Sequence, residues 1–461
     1  MIQCSLSALQ KVVANSVVTA DAQCIGLSTD SRQVASGNVF LALRGETFDA
    51  HDFLNEVVQA GAVAVIAERI PADFPVPALI VPDSKLALAA IATYWRAQFN
   101  LPVIAVTGSN GKTTVKEMIA AILLAQFGHD HMISTKGNLN NEIGVPLTVF
   151  RLQPQHQAAV LELGMNHPGE IAVLSQIAQA NVALVNNAQR EHQEFMQTVE
   201  AVAIENGAVI QSLPANGIAV FPFADTYSAI WREFAADRKT ITFGLSAMDG
   251  ATQRQADVHA SFVPKTFGSE LQMSILGDIV EVQLAAAGQH NVLNALAAAA
   301  CCKAIGVSNA KIVEGLQAFT PVSGRLQAKQ AAAGAMLIDD TYNANPDSVK
   351  AAIDVLAAAK NTTTLVLGDM GEVGADGAAF HQEVGLYAKN HGIHHLFTLG
   401  HLAQASTQAF GDGALHCEDL VQLLANLQSK AQAGNTILVK GSRFMKMERV
   451  VTHLLSAALA P

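Results

Sequence analysis

Basic residues are scarce in this chain: 28 lysines and arginines stand against 39 aspartates and glutamates, a net charge of −11. That balance disfavours nucleic acid as a partner, since phosphate backbones are held by an excess of cations. Any anionic substrate must therefore be met by a few cations gathered at a site. Cysteine is scarce as well. The five thiols are odd in number and show no Cys-x-x-Cys spacing, which argues for reduced cysteines rather than a disulfide framework. The adjacent Cys301 and Cys302 lie in an alanine-rich helical pattern and read as core. Apolar runs of membrane length are missing, and Met1-Ile2-Gln3-Cys4-Ser5-Leu6 has no basic segment leading into an apolar one. A cytoplasmic chain without stable membrane insertion is expected.

Apolar mass, by contrast, is plentiful. Half of the 461 residues are hydrophobic and 15% are charged, so a sizeable core forms and disorder is excluded. The length exceeds what one core serves and points to roughly three domains.

One stretch organises the rest. Val103-Ile104-Ala105-Val106 is a β-branched run that breaks into Thr107-Gly108-Ser109-Asn110-Gly111-Lys112-Thr113-Thr114 and then into helix-forming residues. A strand feeding a turn at a helix N-terminus aims several backbone N–H groups and the positive end of a helix dipole at one small volume. Polyphosphate is the natural occupant. Gly108 and Gly111 allow close backbone approach, Lys112 reaches the terminal phosphates, and the Thr113 hydroxyl is placed to ligate Mg²⁺. The leading glycine of the full Walker pattern falls here at Val106, so the turn is a shorter variant.

Ahead of this loop, residues 1–82 mix short apolar runs with Asp, Ser and Gly turns, followed by a helix expected over residues 85–99. Arg32 and Arg44 flank turns and could fork onto a phosphate or carboxylate, although solvated surface arginines are the commoner arrangement. Behind the loop, strand-like runs end in polar residues. Ala158-Ala159-Val160-Leu161 ends in Glu162, and Val182-Ala183-Leu184-Val185 ends in Asn186-Asn187, with His192 beyond. A carboxylate at a strand end beside a phosphate loop is the usual second anchor for Mg²⁺, which makes Glu162 the sharp candidate. His192 on its own is ambiguous. An amide-rich loop carrying Asn138 and Asn141 suits polar recognition, with ordinary turn chemistry an equal reading. A long alanine-rich helix opens at Gln289-His290-Asn291, and Gly324-Arg325 places an arginine on a turn. Further strands end in Asp340-Thr341-Tyr342-Asn343-Ala344-Asn345-Pro346, in Gly368-Asp369-Met370-Gly371-Glu372 and in Lys440-Gly441-Ser442-Arg443. Polar clusters at strand carboxyl ends suggest a binding rim.

The alternation gives an α/β class in three domains. Residues 1–97 form a small N-terminal α/β domain, residues 98–318 a central P-loop domain with a doubly wound, mostly parallel sheet, and residues 319–461 a C-terminal Rossmann-like α/β domain. In order and spacing these motifs resemble the Mur ligase family, ATP-dependent amide-bond-forming enzymes of peptidoglycan precursor synthesis. The resemblance implies that the first domain holds a UDP-sugar through Ser31, Arg32 and Arg44, with Asn138 and Asn141 also toward substrate. ATP and Mg²⁺ go to the second domain, at residues Thr107, Gly108, Ser109, Asn110, Gly111, Lys112, Thr113 and Thr114. Asn291 contacts adenine, and Arg325 and Asp340 reach phosphate and ribose across a gap that closes. Thr113 and Glu162 would hold one metal ion and His192 a second, making Lys112, Glu162 and His192 the catalytic set. The form of residues 340–346 implies that Tyr342, Asn343 and Asn345 face a D-alanyl-D-alanine acceptor, with UDP-N-acetylmuramoyl-tripeptide as donor.

A sister ligase adding diaminopimelate or lysine to the dipeptide precursor is the nearest alternative. A nucleotide switch is further off, because no Asn-Lys-x-Asp guanine signature is present. A monomer is expected. One departure stands out: relatives often carry a carbamylated lysine where this chain has Asn206. Asparagine supplies no carboxylate, and Glu205, one residue away, points about 100° off around a helix. The second metal ion is therefore expected to bind more weakly or to be held otherwise.

Overall fold

A computed structural model describes residues 2–45, 47–246 and 255–456. Three sheets divide the chain. The first has five strands in the order Val17–Val18, Ala78–Ile80, Ala64–Ala67, Val39–Leu41, Leu27–Ser28, parallel except at the Val17–Val18 edge. A two-stranded ladder of Gln3–Ser5 with Gln23–Ile25 sits beside it.

The second sheet has nine strands, and the strand Val103–Thr107 lies in it between Val182–Val185 and Ala158–Glu162. All five residues of Val103–Thr107 are buried, which is what a strand covered by helices on both faces demands and why its sequence is apolar without alternation. Seven strands are parallel; Gly268–Ile275 and Asp278–Leu284 close one edge as an antiparallel meander on Val258–Lys265. The third sheet has six strands, parallel except for the edge strand Gln327–Gln330.

The helix Ser84–Arg96 starts one residue before the expected position and ends three residues earlier. It is no free linker. Leu88 and Ile91 share a core with Val145, Ile171 and Leu174 of the central region, and Arg96, 4% exposed, donates to the carbonyls of Ala178, Phe99, Leu101 and Gln179. The opposite face of the central sheet is covered by helices Lys112–Phe127 and Gln289–Ala304, with Cys301 and Cys302 fully buried in that core. All five cysteines are free thiols. Among the described residues no helix is long and apolar enough to cross a membrane.

In the second sheet the chain runs from Val103–Thr107 to the edge strand Met132–Ser134, returns to Ala158–Glu162 beside it and then crosses to Val182–Val185 on the other side, so the order reverses about Val103–Thr107. Register places Glu162 beside Val106 and Val185 beside Thr107. The carboxyl ends that carry the phosphate loop, Glu162 and Asn186 therefore open into one crevice, the usual location of ligands in such sheets.

Candidate active site

The phosphate loop is built so that only glycine fits at two of its corners. Gly108 has φ +127° and Gly111 φ +83°; a Cβ would lie 2.9 Å from Asn186 Cβ in the first case and 2.5 Å from Asn294 Oδ1 in the second. Neighbouring amides brace the loop. Asn206 Oδ1 accepts the Gly108 N–H at 2.8 Å, Asn187 Oδ1 accepts the Asn110 N–H at 2.9 Å, and Asn186 Nδ2 donates to the Asn110 carbonyl at 2.8 Å. Lys112 opens a 16-residue helix. Its ammonium lies 2.5 Å from the Gly108 carbonyl and 2.5 Å from Glu191 Oε1.

Glu162 is 2% exposed. Its Oε1 accepts the Thr113 hydroxyl at 3.1 Å and the Asn140 amide at 2.8 Å, while Oε2 is buried with no protein partner. A carboxylate oxygen left dry and unpaired costs several kcal/mol, on the order of 1–3 even for a neutral group. A divalent cation beside the Thr113 hydroxyl would satisfy it, so the residues present fit Mg²⁺. Thr135 holds Glu162 in place, its hydroxyl accepting the Glu162 N–H at 3.0 Å. The fully buried Lys116 in turn holds the Thr135 carbonyl at 2.9 Å.

The C-terminal domain closes this crevice. Arg325 Nη2 donates to Thr113 Oγ1 at 2.9 Å while its guanidinium lies 4.1 Å from the centre of the Tyr342 ring. Asn345 and Asn110 exchange side-chain hydrogen bonds. Arg190 forks onto Asp347 at 2.5 Å and Glu383 at 2.8 Å; the Asp347 carboxylate beside it holds the guanidinium proton more tightly than usual. Glu372 Oε2 approaches His192 Nδ1 at 2.6 Å without hydrogen-bond alignment, and the imidazole keeps the Glu372 carboxyl below its ordinary range. The crevice between the domains has a volume of about 710 Å³ and is open to solvent.

Most of the residues expected from sequence line this one cavity: Ser109 through Thr114, Asn141, Glu162, His192, Asn291, Arg325, Asp340, Tyr342, Asn343 and Asn345. Thr107 and Gly108 do not line it: the Thr107 hydroxyl donates to the Leu184 carbonyl and the Gly108 N–H to Asn206 Oδ1. Two side chains are already engaged within the protein. Asn291 donates to Ala287 and accepts from Asn294, and Asp340 accepts from Lys440 Nζ at 2.6 Å and from the Leu326 N–H. Ser31, Arg32, Arg44 and Asn138 do not line the cavity. Arg32 has 86% of its side chain exposed and is tied to Asp30, and Arg44 and Asn138 are exposed.

Glu205 does not replace the missing lysine. Its two carboxylate oxygens accept the N–H groups of Gly169 and Ile171, each at 2.8 Å, and so cap the helix Glu170–Ala178. Arg325, Asn345 and Asp347 of the C-terminal domain thus touch Thr113, Asn110 and Arg190 of the central domain directly. Sequence reasoning missed Asn140, Arg190, Glu191 and Glu372. The Arg190-Glu191-His192 run placed two of these beside a residue already suspected; Asn140 lay in the amide-rich loop and Glu372 in the polar cluster after Gly368-Asp369, and neither was singled out within it.

Three family descriptions cover the chain in order: "Mur ligase family, catalytic domain" over residues 24–95, "Mur ligase middle domain" over 106–302 and "Mur ligase, glutamate ligase domain" over 324–443. The UDP-N-acetylmuramoyl-tripeptide–D-alanyl-D-alanine ligase of Escherichia coli K12 is 40% identical over 456 residues, spanning 98% of this chain and 99% of that protein. The chain belongs to the Mur ligase family. It is therefore an ATP-dependent peptide ligase. Solved Mur ligase structures agree in architecture. MurF from Acinetobacter baumannii superposes with a TM-score of 0.92 at 34% identity, covering 99% of this chain and all of that one. MurF ligase from Thermotoga maritima, solved in complex with ADP, gives 0.81 at 26% identity over 93% and 96% of the two chains.

Proposed function

We propose that this Mur ligase joins the amine of D-alanyl-D-alanine to the terminal carboxyl group of UDP-N-acetylmuramoyl-tripeptide, with ATP converted to ADP and phosphate, in cytoplasmic peptidoglycan precursor synthesis. The observation that carries the reading is the crevice where the phosphate loop, the unpaired Glu162 oxygen and Arg325 of the facing domain converge. The activity for which the Escherichia coli relative is named, matched end to end at 40% identity, supports the choice of substrates.

A carboxylate is a poor electrophile. In the first step an oxygen of the tripeptide carboxylate attacks the γ-phosphorus of ATP, giving an acyl phosphate and releasing ADP. In the second the amine attacks the acyl carbon, a tetrahedral intermediate forms, and it collapses by expelling phosphate while the nitrogen gives up a proton. Both steps crowd negative charge. Lys112 turns from Glu191 to the terminal phosphates, Arg325 adds a second cation from the opposite wall, and the backbone N–H groups at the N-terminus of the helix Lys112–Phe127 face the same phosphates. Thr113 and Glu162 would hold Mg²⁺, which supplies charge neutralisation on the phosphate oxygens. Tyr342, Asn343 and Asn345 face the acceptor from the C-terminal domain, and Ser31, Arg32 and Arg44 take the uridine diphosphate end on the N-terminal domain. Closure by Arg190, Asn345 and Arg325 excludes water from the acyl phosphate. One chain contains all of these groups, and the enzyme acts as a monomer.

Phosphate release tests the reading. Purified enzyme with ATP and the UDP-tripeptide is expected to release phosphate when D-alanyl-D-alanine is added and not when diaminopimelate is. Turnover of the UDP-dipeptide with diaminopimelate would assign the sister reaction instead, and phosphate release independent of any acceptor would indicate a nucleotide switch.

A further inference from the structure

The position that relatives fill with a carbamylated lysine is closed to that role here. Asn206 is 1% exposed, its Oδ1 accepts the Gly108 N–H and its Nδ2 donates to the Val202 carbonyl, so the side chain is consumed in bracing the phosphate loop. Glu205 is consumed at a helix N-terminus. A different carboxylate stands beside His192. Glu191 is 9% exposed, and its Oε2 has no partner in the protein. Its Oε1 lies 3.7 Å from His192 Nε2 and 2.5 Å from the Lys112 ammonium.

Three features make this pair a cation site. The Lys112 ammonium shows that a positive charge is accommodated against Glu191 in a space lined by His192. The Glu372 carboxylate of the C-terminal domain lies 2.6 Å from His192 Nδ1, which leaves Nε2 on the Glu191 side. The separation also suits shared ligation, since neighbouring ligands at about 2.1 Å from one octahedral Mg²⁺ are about 3 Å apart, a short rotation from 3.7 Å. Two protein ligands are few, but Mg²⁺ commonly takes only one or two carboxylates and completes its shell with phosphate oxygens and water.

We propose that Glu191 and His192 together hold the second divalent cation of this enzyme, the Glu191 carboxylate supplying the negative charge that the carbamate supplies in lysine-bearing relatives. The proposal rests on the ATP-dependent reading above. Lys112 makes the site conditional: while its ammonium lies on Glu191 the carboxylate is occupied, and a polyphosphate that draws Lys112 to itself frees the carboxylate for the ion. Nucleotide and second cation therefore bind cooperatively, through a side chain that one of them must move.

Manganese stoichiometry tests this without reference to turnover. The full chain with a non-hydrolysable ATP analogue is titrated with Mn²⁺, and bound ion is counted by electron paramagnetic resonance. Two ions per chain are expected for the native protein and one for Glu191→Gln, the remaining ion being the one at the Thr113–Glu162 site. Glu191→Asp keeps the charge and is expected to retain both ions, the second more weakly; it decides the matter should the Gln variant fail to fold. Two equally tight ions in Glu191→Gln, an unchanged second affinity in Glu191→Asp, or only one ion in the native protein would overturn the proposal. Failure of the native protein to bind the analogue would instead overturn the ATP-dependent reading.

Discussion

Replacing Arg190 by alanine is predicted to open the molecule. Arg190 extends from the central domain and places its guanidinium on Asp347 and Glu383 of the C-terminal domain, at 2.5 and 2.8 Å. Side-chain exposure is 21% for Arg190 and 23% for Asp347, against 36% for Glu383. The Asp347 pair is thus partly desolvated and forked, worth about 1.5–3 kcal/mol as charge-assisted hydrogen bonds. The Glu383 pair is more exposed and shared with Lys350, so it adds no more than about 1 kcal/mol. Asp347 also lies in the first turn of the helix Pro346–Ala357, whose N-terminus keeps the carboxylate partly compensated once Arg190 is gone. About 2 kcal/mol is therefore expected, a roughly 30-fold fall in the closed-to-open ratio. Single-molecule energy transfer between dyes on the central and C-terminal sheets reads this directly, and the KM for ATP should rise with it, because Arg325 reaches Thr113 only when the domains meet. Arg190→Lys should recover less than half of the effect, since one ammonium does not span two carboxylates in a fork. An unchanged closed fraction in Arg190→Ala would refute the assignment of Arg190 as the clasp between domains.

Three further outcomes follow from the site. Gly111→Ala forces a Cβ to within 2.5 Å of Asn294 Oδ1 at a φ of +83°; nucleotide affinity measured by calorimetry should fall at least about 100-fold, a cost of about 3 kcal/mol or more in displaced amides and strain. Added bicarbonate should leave turnover of the native enzyme unchanged, because Asn206 takes no carbamate, whereas Asn206→Ala strands the buried Gly108 N–H and should cost about 1–3 kcal/mol of stability by chemical denaturation; clear activation by bicarbonate would contradict the reading of Asn206. Burial lowers the His290 pKa from 6.5 to about 4. Between those values the unfolded chain takes up a proton that the folded chain refuses, so melting temperature should fall as pH drops through this window and be insensitive to His290 above it, and His290→Gln should flatten that decline.

How far the sequence could be read depended on whether a signal was local. The run Val103-Ile104-Ala105-Val106 is buried on both faces and so stays apolar throughout, and its break into a glycine turn marked strand, loop and helix together. Strand ends at Glu162 and Asp340 were legible for the same reason. The antiparallel meander at residues 258–284 went unread because its strands alternate buried and exposed residues and include Pro264, a pattern weaker than a continuous apolar run. Nor did spacing reveal pairings between distant segments. Arg190 with Asp347 is separated by 157 residues and Asn110 with Asn345 by 235, and such contacts exist only once three sheets are assembled. Glu205 lies about 100° around the helix from Asn206, and that turn, legible from helix geometry, sends its carboxylate to another helix's N-terminus.

The central claim is that a peptide carboxylate is phosphorylated at the Lys112 turn before an amine captures it. The most direct measurement uses UDP-N-acetylmuramoyl-tripeptide labelled with ¹⁸O in its terminal carboxylate, together with ATP and D-alanyl-D-alanine, and follows the label by mass spectrometry. One ¹⁸O should appear in each phosphate released, in step with the peptide bond formed. Product formed with unlabelled phosphate would contradict the account.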